Sequence, residues 1–453
     1  MGEVLAEIYT EFKKKRRKYA GFYFLYKPNL IIIDLDLIKT IMTKDFNYFT
    51  DHIMYANEEQ DPLSAHLFTL KGEKWRKLRG KLSSTFSSGK IKTMFPILVN
   101  CSRGLINIID ECIETHQAVD IKDLGARYTT DVIGSIAFGI DCDSLNNPNS
   151  QFRKYGIKIF DLNFFETIRD FVGFLEPRVL NFFKAKIVKK DVSEFFMNVV
   201  RETVEYREKN NVKRNDFMQL LIELKNAKDN ESKPTLTLNE LAAQAFVFYV
   251  AGFESSSTTL TFCIYELSEN LGVQRKLRQE IFDVLKKHDF KLTYEALNEM
   301  TYLDKCVTET LRKYPPVPVL DRVCTKRYRI PGTELDIEKG IAVHIPLLGI
   351  QRDPDLYPNP LKFDPERFST ENKAQHNQFA WLPFGEGPRM CIGMRFGLMQ
   401  TKVALSVLIK NYNFTLNNKT IVPLALNSKT FLLSVKDGVW LTVEKICNSR
   451  INC

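Results

Sequence analysis

Apolar side chains recur three and four positions apart through much of the first 300 residues. That spacing places them on one face of a helix, so residues 98–113 and 188–207 are each predicted to form an amphipathic helix. A longer run begins where Thr237 is followed by Glu240, whose side chains can bond each other's free backbone N–H groups at a helix start. This run predicts a helix that continues to about residue 270, long enough to cross a domain at about 1.5 Å per residue.

Prolines separate this helical part from the next. Eleven of the 18 prolines lie between residues 301 and 400, and proline breaks helix interiors. Residues 315–390 are therefore predicted to form turns, short strands and coil, between a helix at 302–313 and another that begins after Gly393. Strand-like runs occur at 29–33, 341–346 and 430–443.

No repeat period or low-complexity linker divides the chain. The predicted fold class is mainly α with a small β region (α+β), in one domain that spans residues 1–453. Within it, residues 1–300 are mainly helical, residues 315–390 form the coil-rich stretch, and residues 393–453 form a final helix and strands. A chain of 453 residues can bury about three quarters of its extended surface. It can therefore enclose a cofactor.

The composition excludes several classes of protein. Hydrophobic residues make up 44% and charged residues 26% of the chain, which excludes disordered, collagen-like and coiled-coil proteins. The longest apolar stretch, residues 245–253, is well short of the roughly 20 residues that a membrane-spanning helix needs. Nine scattered cysteines without a C-x-x-C pair fit a reducing compartment and disfavour a zinc ribbon or a thioredoxin motif.

The net charge of +9 includes six consecutive Lys and Arg residues at positions 13–18. Such an excess suits nucleic acid, an anionic membrane or an acidic protein partner. No zinc-ligand spacing or basic stripe with interleaved aromatic residues accompanies the run, so nucleic acid is not an expected partner. A solvated helix face is the simplest interpretation of the run itself.

One segment, residues 384–393, carries the strongest chemical signal and is called the cysteine loop below. Cys391 lies between Gly387 and Gly393, which permit a tight turn and let the backbone approach a flat ligand. A helix beginning near residue 392 would point its positive end at the sulfur, and Arg389 can pair with a carboxylate of a cofactor. The loop therefore predicts Cys391 as the thiolate ligand of a haem iron, although a lone cysteine is ordinarily a buried filler.

Four motifs together resemble the cytochrome P450 family over essentially the whole chain. The cysteine loop matches F-x-x-G-x-R-x-C-x-G from Phe384 onward, and residues 309–312 match E-x-x-R. Residues 365–368 match P-E-R-F, and residues 251–255 match A-G-x-[DE]-T except for a serine at the last position. Residues 61–68 and 385–389 look particularly like the insect family 6 enzymes, which oxidise xenobiotics.

Glu309 and Arg312 lie three positions apart, on one helical face. Alone, such a pair is usually a surface ion pair worth under about 1 kcal/mol. The resemblance implies instead that both are buried with Arg367 beside the cysteine loop. Their role would be structural, and losing one partner would leave an uncompensated buried charge. We then expect haem incorporation to fail.

Trp75 and Arg79 lie four positions apart, also on one helical face. Without further context they describe an amphipathic helix with a core tryptophan. The resemblance implies that both reach a haem propionate, and that Arg322 and Arg389 add positive charge there. Buried carboxylates require such cationic donors.

The central helix carries the residues expected to act on oxygen. Gly252 costs about 1 kcal/mol relative to alanine inside a helix, and the resemblance implies that it widens the helix to admit O2. Glu254 and Ser255 would relay protons. Serine keeps the hydroxyl of the usual threonine but is less restrained, so weaker coupling of electrons to product is expected. Substitute hydroxyls follow at residues 256–259.

The resemblance implies a haem-thiolate monooxygenase that contains haem b and uses O2. No Gly-x-Gly-x-x-Gly is present, so a flavin or nucleotide half is not expected in this chain. Electrons from NADPH would arrive through NADPH–cytochrome P450 reductase, with cytochrome b5 as a second donor, docking near Lys71, Lys74 and Lys77. Two alternatives stay open: an isomerase or dehydratase without monooxygenase turnover, and an inactive haem-binding protein.

Substrates are expected to be lipophilic small molecules such as plant toxins, insecticides or endogenous lipophiles. The predicted substrate contacts are the loop 57–68 and Phe246, Val250, Phe253, Val317, Val319, Leu320, Thr430, Phe431 and Leu432. Microsomal relatives sit on the cytosolic face of the endoplasmic reticulum membrane. The N-terminal anchor of those relatives is expected to be absent, and the basic run 13–18 is expected to lie in the first helix, against anionic lipid.

Overall fold

Most of the chain is α-helical, in agreement with the apolar spacing of the sequence. The computed structural model describes residues 2–227, 235–427 and 431–446. The helices in these ranges are α1 Gly2–Lys14, α2 Leu35–Lys39, α3 Gly72–Ser83, α4 Ser88–Glu114, α5 Ile121–Ala137, α6 Gln151–Phe160, α7 Phe164–Leu175, α8 Pro177–Phe182, α9 Lys190–Asn210, α10 Phe217–Asn226, α11 Leu238–Glu269, α12 Leu271–Lys287, α13 Tyr294–Glu299, α14 Thr301–Lys313, α15 Leu347–Gln351, α16 Thr370–Lys373 and α17 Met394–Asn411.

The β structure is small and lies in three sheets. The strands are β1 Tyr19–Phe24, β2 Lys27–Ile32, β3 Val119–Asp120, β4 Leu320–Val323, β5 Tyr328–Arg329, β6 Asp336–Ile337, β7 Ala342–Ile345, β8 Tyr412–Leu416 and β9 Trp440–Lys445. Four strands pair in the order β1-β2-β7-β4, with β2 and β7 parallel in the register Leu30 to Val343. A second sheet has the order β3-β9-β8, and β5 pairs with β6. The predicted fold class, mainly α with a small β region, is confirmed.

Helix α11 is the central element of the helical part. Thr237 and Glu240 form the predicted capping box at its start. The helix has 32 residues and is therefore about 48 Å long. It packs against α5, α17, α14 and α9. Its second half, residues 256–268, is buried on every side, the pattern of a helix that crosses a protein core.

Several predicted boundaries differ from the observed ones. The helix predicted at 98–113 begins at Ser88 and continues through Pro96, because a proline can be accommodated inside a helix at a local cost. The strand predicted at 430–443 is confined to Trp440–Lys445. Lys436 and Asp437 form a bend before it, and Thr430 lies outside the described residues.

The basic run at residues 13–18 was expected to lie in the first helix. Only its first two residues do so. Helix α1 ends at Lys14, and Arg16 has a positive φ of 54°, which breaks the helix before β1. Lys13 forms ion pairs with Asp353 and Asp355. Part of the run is thus engaged with the protein rather than presented to solvent.

No helix among the described residues has the combination of length and apolar character that would allow it to cross a membrane.

Candidate functional site

A large cavity lies between helix α11 and the cysteine loop, and is called the main cavity below. Its volume is about 590 Å³, within the roughly 300–1,000 Å³ typical of small-molecule sites. Val250, Ala251 and Ser255 line it from α11, and Phe384 and Cys391 line it from the cysteine loop. The wall is mostly apolar, and its charged side chains are Arg79, Arg169, Asp170, Lys189, Asp321, Arg322 and Arg389.

Backbone hydrogen bonds hold the cysteine loop in shape. The Cys391 amide donates to the Phe384 carbonyl at 2.8 Å, and the Met390 amide donates to the Gly387 carbonyl at 3.0 Å. Gly387 has a φ of 73°, and a Cβ at this position would lie 2.0 Å from the Met42 carbonyl oxygen. We expected the backbone at Gly387 to approach a ligand. The close approach is instead to the backbone at residue 42.

Cys391 is enclosed by protein but its side chain is open to the main cavity. Burial raises the pKa of its thiol above the usual range, while the amides of Gly393 and Met394 and the charge of Arg79 oppose that shift. Gly393 is the N-cap of α17. The amides at the start of this helix lower the pKa of the Cys391 thiol, as predicted, but by less than burial raises it. A thiol that binds a metal is deprotonated outright, so the raised pKa does not disfavour ligation.

Arg79, Arg322 and Arg389 are three of the four arginines that line the main cavity, and their charges interact. Burial lowers the pKa of Arg322 to about 10. Burial and the neighbouring charge of Arg322 lower the pKa of Arg389 to about 9. Burial also lowers the pKa of Arg79. Asp321 offsets part of this positive charge, and the Nε atom of Arg322 is buried without a hydrogen-bond partner. The cluster therefore retains a buried hydrogen-bond donor and positive charge that could bind an anionic group.

Arg389 is held mainly by backbone oxygens. Its Nε donates to the Thr50 carbonyl at 2.8 Å and its Nη2 to the Leu70 carbonyl at 2.7 Å, while its guanidinium carbon lies 4.0 Å from the ring centre of Trp75. Arg79 donates to the Met390 carbonyl at 2.8 Å. These bonds join the cysteine loop to α3 and to the segment before it, so both arginines position the loop.

Glu309 and Arg312 form a fully buried pair on α14. Two hydrogen bonds join them, Nε to Oε2 at 2.6 Å and Nη2 to Oε1 at 2.8 Å. Arg312 also donates to the carbonyls of Gln351 and Pro360. Arg367 lies 3.4 Å from Glu309 Oε1 as an ion pair without hydrogen-bond geometry. The pair thus connects α14 to the coil-rich stretch that precedes the cysteine loop.

A sequence comparison decides the family of this chain. The profile of the family described as "Cytochrome P450" matches residues 1–441. Among curated proteins of Drosophila melanogaster, cytochrome P450 6a2 is 44% identical over 98% of this chain and 90% of its own length. Cytochrome P450 6a8 is 43% identical over 98% and 89%, and cytochrome P450 6a9 is 44% identical over 94% and 86%. The chain belongs to the cytochrome P450 family.

Membership of this family indicates a haem-containing oxidoreductase of the monooxygenase type. The residues of the main cavity fit such a group. Cys391 presents its sulfur to the cavity, and Arg79, Arg322 and Arg389 supply cationic donors to the same space. Haem b carries two carboxylates, and the unpartnered Nε of Arg322 is the kind of buried donor that such a carboxylate would satisfy.

Helix α11 of this P450 continues as an α-helix on both sides of Gly252, and the local widening that the resemblance implies at this glycine stays a prediction. A Cβ at Gly252 would lie 2.7 Å from Cδ1 of Ile133 on α5. Glycine therefore allows close packing of α11 against the Ile133 side chain of α5. The glycine also borders the main cavity.

Glu254 and Ser255 face different spaces. Ser255 lines the main cavity and its hydroxyl donates to the Ala251 carbonyl at 2.6 Å. Glu254 lines a separate small cavity of about 40 Å³ with Lys122, Ser257 and other residues. Burial raises the pKa of Glu254, and the positive charges of Lys122 and Arg153 oppose this. The acid and the alcohol are thus on adjacent sides of one helix.

The hydroxyls that follow Ser255 are divided in the same way. Ser256 and Thr259 line the main cavity, whereas Ser257 and Thr258 line the small one. Only the first pair is placed to substitute for Ser255.

Most of the predicted substrate contacts do line the main cavity. They are Phe246, Val250, Val317, Val319, Leu320, Phe431 and Leu432. Phe253 does not line it. This ring is only 2% exposed and stacks on Tyr249 at 5.9 Å, because residue 253 lies on the α11 face that packs into the core. Thr430 lies outside the described residues.

Some cavity residues were missed from the sequence. Ile133 and Ile136 of α5 and Phe160 of α6 line the main cavity, yet their helical spacing is that of ordinary core residues. Ile187 and Val188 also line it, and their amides donate to Asp61 Oδ2 at 2.8 and 2.9 Å. Burial raises the pKa of Asp61, and its Oδ1 has no hydrogen-bond partner.

Proposed function

We propose that this P450 inserts one oxygen atom from O2 into lipophilic small molecules, xenobiotics among them, with electrons from NADPH delivered by NADPH–cytochrome P450 reductase. The observation that carries the proposal is the shared main cavity: Cys391, the three arginines, Ser255 and a mostly apolar wall all border one space. An apolar wall with few polar groups suits a lipophilic substrate. Cytochrome b5 is proposed as a second electron donor.

When bound, haem supplies the activation of dioxygen and the electron donation of its thiolate ligand. The chain's own residues do the remaining work. Cys391 holds the group from the loop side, and Arg79 and Arg322 bind its carboxylates. The apolar wall orients the substrate and excludes water. Glu254 takes up protons from the small cavity, and the Ser255 hydroxyl, once turned away from the Ala251 carbonyl, donates a proton into the main cavity.

Exposed basic residues in α3 and just before it support docking of a reductase. Lys71, Lys74 and Lys77 are exposed, and α3 also carries Trp75 and Arg79, which border the main cavity. A positive surface beside the cofactor would attract an acidic partner and shorten the path for electrons. Lys74 already pairs with Glu58, so Lys71 and Lys77 are the better docking charges.

The proposal is tested by reconstituting the purified protein with NADPH–cytochrome P450 reductase and a library of lipophilic compounds. We expect NADPH consumption that rises with substrate and an oxygenated product that contains label from 18O2. Turnover of a peroxide without NADPH or O2 would instead support the isomerase or dehydratase alternative. A normal haem spectrum without any turnover would support the inactive haem-binding alternative.

Glu254→Gln is expected to slow product formation on the order of 100-fold, because a positioned acid contributes at least that much to proton transfer. Burial raises the pKa of Glu254, so the protonated acid persists to higher pH and the rate falls as pH rises through that raised pKa. Lys122→Met removes a charge that opposes the shift, so the fall should move to higher pH. The rate of product formation across pH measures this.

Lys402→Met is the matched control, since Lys402 is a buried lysine that pairs with Asp304 at 2.7 Å. Its pH profile should equal that of wild type. If the rate of Lys122→Met fell at the same pH as that of wild type, Glu254 would not be the acid that supplies the proton.

We also propose that the protein works at the endoplasmic reticulum membrane, on its cytosolic face. Support comes from four exposed rings around helices α7 and α8, called the aromatic patch: Phe164, Phe165, Phe182 and Phe183, which are between 71% and 81% exposed. Lys184 and Lys186 are exposed beside it. Exposed aromatic rings flanked by lysines are typical of proteins that lie in a membrane interface.

Replacing all four phenylalanines of the aromatic patch by serine is expected to weaken vesicle binding at least tenfold. In wild type each ring leaves water when the patch enters the membrane, and this transfer favours binding. Co-sedimentation with vesicles of phosphatidylcholine and phosphatidylserine measures it. The control is Leu361→Ser with Ile421→Ser, which removes exposed apolar side chains from other segments. If both variants bound vesicles equally well, the aromatic patch would not be the surface that binds the membrane.

A further inference from the structure

Arg169 is a charged side chain on the mostly apolar wall of the main cavity that none of the sequence motifs includes. It lies on α7, whereas the arginines proposed to bind the haem carboxylates lie on α3 and β4. Its Nε donates to Asp170 Oδ1 at 2.8 Å, and its Nη1 donates to the Lys186 carbonyl at 2.9 Å. These two bonds reach different segments, so they fix the plane of the guanidinium.

The third nitrogen of this guanidinium, Nη2, is buried and has no hydrogen-bond partner within the described residues. It lies 2.7 Å from Asp170 Oδ1 as an ion pair without hydrogen-bond geometry, and the same oxygen already accepts the Nε hydrogen. A buried donor without an acceptor is unfavourable. Because Arg169 borders the main cavity, a molecule bound there can supply the missing acceptor.

The groups around Arg169 determine which acceptor fits. Its charge opposes the rise in pKa that burial causes at Asp170 and at Asp61, so both carboxyl groups lie near it. An anionic ligand would be repelled by these groups, whereas a neutral oxygen only needs the unpartnered N–H. The neighbouring cation of the cavity wall, Lys189, already pairs with Glu166 at 3.2 Å and donates to a backbone carbonyl. A neutral acceptor is therefore favoured over an anion.

We propose that Arg169 is a specificity-determining residue whose Nη2 donates a hydrogen bond to a neutral carbonyl oxygen of the substrate. This inference rests on the proposed function and names its substrate class: lipophiles that carry a ketone, ester or lactone oxygen. The apolar wall binds the hydrocarbon part, and Arg169 holds the carbonyl end against α7. Oxidation then occurs at carbon atoms set by their distance from the carbonyl group.

The test compares cyclododecanone with cyclododecane, two rings of the same size that differ in one carbonyl group, as ligands of the ferric holoenzyme. Soret difference spectra give both dissociation constants. Wild type should bind the ketone about tenfold more tightly than the hydrocarbon, the gain expected of a hydrogen bond from a charged donor. Arg169→Met should bind the two rings equally. A general loss of packing would weaken both rings together, so the ratio reports the hydrogen bond alone.

Lys189→Met is the matched control, because Lys189 lines the same cavity with an ammonium group that already has partners. It should keep the wild-type preference for the ketone. Arg169→Gln retains N–H donors without the charge and should keep part of that preference. Cyclododecanecarboxylate should bind wild type more weakly than the ketone does, and it should gain affinity relative to the ketone in Asp170→Asn.

The products give a second readout. With reductase and NADPH, wild type should oxidise cyclododecanone at a narrow set of ring positions, and Arg169→Met should oxidise it at a broader set. An equal preference for the ketone in wild type and Arg169→Met would overturn the inference, as would a wild type that binds the two rings equally or binds neither. Tighter binding of the carboxylate than of the ketone would overturn the choice of a neutral acceptor. Absence of haem, or of NADPH-dependent turnover with any lipophile, would instead refute the proposed function.

Discussion

Cys391→Ala is expected to abolish the red-shifted Soret band of the reduced carbon monoxide complex. That band requires a thiolate bound to the haem iron, and Cys391 is the cysteine that the cysteine loop presents to the main cavity. Substrate oxidation should fall to background with it. The difference spectrum and product formation are the measurements.

Cys112→Ala is the control, because Cys112 is a half-buried cysteine on α4 that does not line the main cavity. It should keep the wild-type spectrum and activity. If Cys391→Ala retained the red-shifted band, another residue would have to be the ligand and the proposed function would need a different site. Some haem is expected to remain bound in Cys391→Ala, held by Arg79 and Arg322, and its spectrum should lack thiolate character.

Glu309→Ala is expected to lower the free energy of unfolding by about 3–5 kcal/mol, because it leaves the charge of Arg312 buried without its partner. Both side chains of the pair are fully buried, so solvent cannot compensate for the loss. Arg312→Ala should have an effect of the same size, and it also removes the donors to the Gln351 and Pro360 carbonyls. Chemical denaturation and the haem-to-protein ratio after expression measure the two consequences.

Glu366→Ala is the matched control for this prediction. Glu366 forms ion pairs with Lys276 and Lys305 at a more exposed position, and such pairs contribute about 0–1 kcal/mol. It should therefore express with a full complement of haem. A similar loss of stability in Glu366→Ala and Glu309→Ala would show that burial of the pair is not what makes it important.

The sequence predicts the elements of this fold well where a local signal exists. The capping box at Thr237 marks the start of the central helix, and the prolines mark where helices give way to short strands. The cysteine loop is evident from its glycines and from Arg389. These features depend on residues close together in the chain, and local chemistry determines what such residues can form.

The sequence was a poorer guide to where individual side chains point. Glu254 and Ser255 are adjacent in the chain, yet they face two cavities because neighbouring residues on a helix differ in direction by about 100°. Phe253 was expected at the substrate and lies in the core. Tertiary packing decides such placements, and spacing alone does not encode it.

Asp61 connects two walls of the main cavity that are about 126 residues apart in the chain. Its one carboxylate oxygen accepts both the Ile187 and the Val188 amides, and its second oxygen is buried without a partner. Any movement that parted these two segments would break both hydrogen bonds together, because one oxygen accepts both. Water that reached the freed carboxylate would offset part of that cost. The cohesion of this part of the cavity wall therefore depends on keeping water away from a single aspartate.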